Sequence, residues 1–256
     1  MEDKKYNNAP IVEAIFELKW QLPHIRDNLP VDNNYPIIIG ALNEKFKQIY
    51  PYHEPLPTLA IPEGMAKWNV QHRFRSKQDS WPLYQIGPGI ITLNFTKEYH
   101  PVDFCKSLTE LIRGFYEIYP NEANLVIDEL SLRYIDAVRF DYSNCIFDYL
   151  KTDFAIGLDL PKELFESKLF SNLPDFFDVK FVYPINDDIG KIIIRLARGN
   201  TNSDDVIIVE TLIKSNLLNK ELSADEIIQW VRNSHDVTHR TFEILFRKFI
   251  ERGDFD

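Results

Sequence analysis

Cysteine is almost missing from this chain. Cys105 and Cys145 are the only two, about forty residues apart and outside any CxxC pair. That excludes a disulfide framework and makes a reducing, cytoplasmic setting the expectation. No apolar run approaches the roughly 18 residues that a membrane span requires. The N-terminus opens on Glu and Lys rather than an apolar core, so neither a signal peptide nor a membrane anchor is expected. Basic charge is also short, and the formal net charge of −10 opposes general nucleic-acid binding, which needs clustered Lys and Arg. Arg73/Arg75/Lys77 and Arg195/Arg198 are brief clusters against that background. GxGxxG, GxxxxGK[ST] and GxSxG do not occur, and Gly87-Pro88-Gly89 is too short and stiff to cradle a phosphate.

What is present is material for a core. Residues are 45% hydrophobic and 13% aromatic over 256 positions, enough for one large domain or two halves of about 130. The most organised stretch is the C-terminal one. Ser223-Ala224-Asp225-Glu226 has the form of a capping box, and no Gly or Pro follows until Gly253. The spacing predicts one long helix from Ser223 to Phe249, with Ile228, Val231, Phe242, Leu245, Phe246 and Phe249 on its apolar stripe. His235 falls inside that stripe and His239 on its flank.

Earlier in the chain, Ile11–Trp20 reads as a strand covered on both faces or a central one, and Asn33–Tyr50 as a helix ended by Pro51. Tyr52–Pro62 is Pro-rich loop. Strands follow at Met65–Arg75, Leu83–Ile86 and Ile90–Phe95, then a helix between Pro101 and Pro120. Leu125–Phe140 reads as a long strand, Cys145–Phe170 as broken helical pieces, and Val179–Tyr183, Lys191–Ala197 and Val206–Ile213 as strands. Turns are expected at 186–190 and 199–202. The order suggests an α+β protein of two tandem β-α-β-β-β-α units, 1–122 and 123–256. These would form antiparallel sheets with helices packed on one side, an internal duplication read from element order.

The candidate sites are few. His235, His239 and Glu243 recur at i, i+4 and i+8, so all three project from one side of a helix, as a transition-metal set would require. The pattern is not HExxH, and a satisfied core histidine is the competing structural reading. Glu13 is a carboxylate among Ile11, Val12, Ala14, Ile15 and Phe16, and a buried carboxylate needs a partner or a proton. His235 on the covering helix is the expected partner, as a buried polar tie or an acid–base pair. On that reading Glu13→Gln and His235→Ala each lower stability by on the order of a few kcal/mol. Arg133, Tyr134, Arg139, Arg195 and Arg198 lie on expected strands, where an open sheet face could dock an anionic or aromatic ligand.

Ala9-Pro10-Ile11-Val12-Glu13-Ala14 resembles the opening "PPIVE(V/A)" signature of a sporadically distributed family of uncharacterised bacterial proteins of about this length. Trp230, Ser234-His235-Asp236 and Thr241-Phe242-Glu243 resemble that family's closing "aHe…F" helix. Here Ile244–Ile250 stays apolar where the family turns Thr-rich. The resemblance implies no reaction. It implies an accessory role, such as a component of a defence or toxin–antitoxin locus, and links Glu13 with His235.

The leading expectation is therefore a non-enzymatic, cytosolic binding or regulatory module without a cofactor, acting through a protein partner or a small ligand, with a homodimer as a further arrangement. The alternatives are a metal-dependent hydrolase using His235, His239 and Glu243 with a divalent transition ion, and a nucleic-acid-binding protein.

Overall fold

The computed structural model describes residues 6, 8–22, 24–26, 29–96, 99–120, 125–161, 163–166, 171, 173–185, 189–201, 204–216 and 219–256. The expected turn residues 186–188 and 202, part of the helical stretch at 162 and 167–170, and the first five residues lie outside that set.

The protein is mixed α+β, built on one large antiparallel sheet. Its strands are β1 (Ile11–Trp20), β4 (Tyr52–Pro55), β5 (His72–Arg75), β6 (Leu83–Gly87), β7 (Ile90–Phe95), β8 (Val126–Arg139), β9 (Asp178–Ile185), β10 (Gly190–Thr201), β11 (Asp204–Lys214) and the short β12 (Lys220–Glu221). Their order is β4-β5-β6-β7-β1-β8-β11-β10-β9, with β12 on β8. A two-stranded ribbon, β2 (His24–Arg26) with β3 (Leu29–Val31), stands apart. The helices are α1 (Tyr35–Phe46), α2 (Pro101–Ile118), α3 (Ile146–Asp153), α4 (Glu163–Glu166), α5 (Ala224–Leu245) and α6 (Arg247–Arg252).

The seam of the sheet is the antiparallel pairing of β1 with β8, in which Ala14, Phe16 and Leu18 face Tyr134, Leu132 and Leu130. β1 alternates: Ala14, Phe16, Leu18 and Trp20 are fully buried, while Glu13, Ile15, Glu17 and Lys19 are half-buried. Of the two expected arrangements, a strand covered on both faces or a central one, β1 takes the central place, between β7 and β8. Glu13, Ile15, Glu17 and Lys19 form one period-2 row that meets the polar side of the sheet, and the register shift between Ile11 and Glu13 leaves Ile11 outside it. On the apolar side the β1 row joins Leu93 and Phe95 of β7, Leu108, Leu111 and Phe115 of α2, and Ile227, Ile228 and Val231 of α5 in one core. A second cluster gathers Leu196, Ile207 and Val209 with Phe154, Phe246, Phe249 and Phe255.

Several elements differ from expectation. Met65–Arg75 is a strand only from His72, because residues 63–65 form a 3₁₀ turn and Trp68 takes φ 63°. Part of the expected Pro-rich loop, Tyr52–Pro55, pairs with β5. The long C-terminal helix breaks at Phe246, where φ/ψ of −99°/15° ends α5. Neither Pro nor Gly marks that break. Phe242, Phe246, Phe249 and Phe255 converge around it, with ring centroids 4.7 to 6.0 Å apart. Gly253, at φ 76°, then closes α6, and the Asp254 N–H donates to the Phe249 carbonyl.

The start of α5 forms as its sequence dictates. The Ser223 hydroxyl accepts from the Glu226 N–H, and the Glu226 carboxylate accepts from the Ser223 N–H at 2.8 Å. Ser223→Ala is expected to lower global stability by about 1 kcal/mol, read as a shifted urea midpoint. An unchanged midpoint would mean that the cap adds nothing to tertiary packing.

Candidate functional site

α5 packs on β8 and β11, and its residues His235, Thr238, His239 and Phe242, at i, i+3, i+4 and i+7, share one helical face. Below them, Tyr134 and Asp136 are two residues apart on β8 and so point to the same side of the sheet. Thr211 of β11 sits directly opposite Tyr134, and Ile11 of β1 opposite Asp136. The register between β1 and β8 shifts between Ile11 and Glu13, a bulge that falls beside Asp136. Tyr99 and Pro101 at the entry to α2, with Tyr6 and Ala9 from the N-terminal segment, complete the walls of a cleft. Its cavity volume is about 90 Å³.

The floor of the cleft carries a buried polar chain. The Tyr134 hydroxyl and His235 Nδ1 are 2.9 Å apart, and the Tyr99 hydroxyl lies 3.4 Å from that of Tyr134. Burial first, and the neighbouring Tyr99 second, push the Tyr134 hydroxyl well above its ordinary range. The rings of His235 and His239 stack with centroids 6.2 Å apart, and His239 Nε2 approaches the Glu243 carboxylate at 3.6 Å.

Asp136 is the group that the sequence reading missed. It is 4% exposed, and its carboxyl meets no hydrogen-bond donor among the described residues. Burial alone pushes it up to about 7. A detectable signal existed: Asp136 shares its parity along β8 with Leu130, Leu132 and Tyr134, so it is a carboxylate in the apolar row. Glu13 has the opposite relation. It belongs to the row of Glu17 and Lys19, on the face turned away from α5.

The expected Glu13–His235 tie is therefore corrected. Glu13 accepts from Asn94 Nδ2 at 2.9 Å, within a ladder that includes Thr92 and Gln85. His235 is buried and meets Tyr134 instead. Glu13→Gln keeps an acceptor for Asn94, so it should change stability by less than about 0.5 kcal/mol. A loss of several kcal/mol on calorimetric unfolding would contradict this placement.

The other expected site residues are dispersed. Arg133 and Arg195 lie on the polar face and share Glu210, at 3.1 and 3.4 Å, and Arg195 forms two 2.8 Å bonds with Asp178. Arg139 pairs with Asp204, and Arg198 stacks over Tyr142. Of the expected metal set, His235 and His239 border the cleft, with Glu243 beside His239. No group of three His, Cys, Asp or Glu side chains among the described residues is disposed around a common ion position.

No family model matches the sequence, and no curated protein is similar to it. Among solved structures, one similar chain is the di-domain ARO/CYC StfQ from the steffimycin biosynthetic pathway. It is 9% identical with a TM-score of 0.22, over 95% of this chain and 99% of that one, a likeness too low to carry fold or activity across. No helix of the described residues is long and apolar enough to cross a membrane.

Proposed function

We propose that this chain is a binding module for a small organic ligand held in the cleft between α5 and the β1–β8 seam. The observation that carries the reading is Asp136, a buried carboxyl lining an aromatic-walled cleft with no hydrogen-bond partner among the described residues. A buried polar group without a partner lowers stability and is expected where a ligand supplies the missing bond. The cleft combines apolar walls with a few convergent polar groups, the usual composition of a small-molecule site.

The finer architecture fits this reading. β5-β6-β7-β1 and β9-β10-β11-β8 run in matching order from edge to centre, each half ending in a helix, α2 or α5. Two β-α-β-β-β-α units joined at the β1–β8 seam would place the cleft beside the line where they meet.

A second reading, an acid–base enzyme, is favoured by one observation. A carboxyl held near 7 beside a histidine is poised to take and return a proton near neutral pH. The metal-dependent form of that reading requires an ion on His235 and His239. Near-stoichiometric metal in protein purified without a tag, lost in a His235→Ala/His239→Ala variant, would support it.

The test of the leading reading is a fragment screen by protein-observed NMR. Binders should perturb resonances of Tyr99, Thr211 and Phe242, and Ala9→Phe, which narrows the wall of the cleft, should abolish them. Hits that cluster on the polar sheet face instead would reject the cleft as the site.

A further inference from the structure

Resting on the reading of the cleft as a small-ligand site, we infer that its ligand is an organic ammonium: an apolar or aromatic body carrying a protonated amine, with Asp136 as counter-ion. Among the described residues, those that form the cleft include one carboxyl, Asp136, two imidazoles, His235 and His239, and no lysine or arginine. An anionic ligand would meet that carboxyl without any guanidinium or ammonium to offset it. A neutral ligand could donate a hydrogen bond but would leave the charge of the ionised carboxylate without a counter-charge. An ammonium supplies both the missing hydrogen bond and the opposite charge, and a charge-assisted bond is stronger than a neutral one.

The walls fit the same class. Tyr6, Tyr99 and Phe242 present aromatic surfaces, and aromatic faces attract cations while also packing against an apolar body. Tyr6 and Phe242 stand 5.9 Å apart and Tyr99 stands edge-on to Tyr134 at 5.8 Å, so the rings brace one another. The formal charge of −10 over the whole chain adds a field that draws cations.

Binding of this kind depends on pH. The groups facing Asp136 are Tyr134 and Thr211 from the sheet, His235 and His239 from α5, and Tyr99 and Tyr6 from the segments that close the cleft, with Glu243 beyond His239. Both tyrosines with a shift, Tyr134 and Tyr6, are displaced upward and stay neutral over the range concerned. As pH rises from 5.5 to 8, Asp136 gains its negative charge, which favours a cation.

The experiment is calorimetric titration of the full chain with three probes of like size: 2-phenylethylamine, 2-phenylethanol and 3-phenylpropanoate. At pH 8 the amine should bind at least about tenfold more tightly than the alcohol, as expected for one charge-assisted bond. The carboxylate should be weakest. The amine's advantage should disappear at pH 5.5, and also in Asp136→Asn, which should still bind the alcohol. Equal or tighter binding of the alcohol or the carboxylate at pH 8 overturns the ammonium assignment while leaving a small-ligand cleft in place. No binding by any probe at millimolar concentration overturns the assignment and the cleft reading together. The wild-type pH series decides the matter without any variant.

Discussion

Asp136→Asn should make the protein more stable relative to wild type as pH rises, by on the order of 4 kcal/mol between pH 4 and pH 8. The sign follows from linkage. The Asp136 carboxyl titrates near 3.8 in the unfolded chain and at about 7 in the folded one. Below pH 3.8 both states carry the proton, so ionisation of this group contributes nothing to the balance. Between the two values the unfolded state gives up its proton while the folded state keeps it, and stability falls as pH rises. Above about pH 7 the loss is complete. At about 1.4 kcal/mol per pH unit, a span of roughly three units gives the stated size. Asparagine does not titrate, so subtracting the two pH profiles cancels every other ionisable group. Urea unfolding at pH 4.5, 6 and 8 measures the difference directly. Parallel profiles would mean that the carboxyl is solvated or already paired, and the case for a ligand that supplies its partner would fall with it.

The same residue shows what the sequence could and could not reveal. Period-2 rows are legible in β1 and β8, and the capping box at Ser223 sets the start of α5. Face assignment is a second step, and it decides which carboxylate is unusual. Glu13 drew notice because its immediate neighbours are apolar. Neighbours in a strand point the other way, though, so the informative positions are those of the same row, where Ile15, Glu17 and Lys19 sit. Asp136, with Tyr134, Leu132 and Leu130 in its row, satisfied the test that Glu13 failed. The cleft itself was not legible. It depends on the bulge in β1, on α5 packing over β8 and β11, and on the N-terminal segment returning to bring Tyr6 beside Phe242. Those are long-range contacts with no local signature. The break at Phe246 is of the same kind, since the aromatic cluster that surrounds it draws Phe154 and Phe255 from elsewhere in the chain.

The distinction between the two possible partners of His235 can be measured as a coupling energy. Tyr134 and His235 are joined by a 2.9 Å hydrogen bond in a buried setting, Tyr134 being 8% exposed and His235 also 8% exposed. Tyr134→Phe removes the hydroxyl and leaves one imidazole nitrogen short of that bond. His235→Phe removes the imidazole and leaves the hydroxyl with its longer contact to Tyr99. Each single change should cost about 1–3 kcal/mol, because a buried polar group loses its partner. In the double variant the second loss is no longer incurred, so the effects should fall short of additivity by about 1 kcal/mol, the scale of directly contacting pairs. Glu13 lies on the other face of the sheet and bonds to Asn94, so Glu13→Gln combined with His235→Phe should be additive to within roughly 0.5 kcal/mol. A Tyr134–His235 cycle that sums without residual, or a Glu13–His235 cycle that does not, would reverse the assignment and restore the first strand's carboxylate as the partner of the helix.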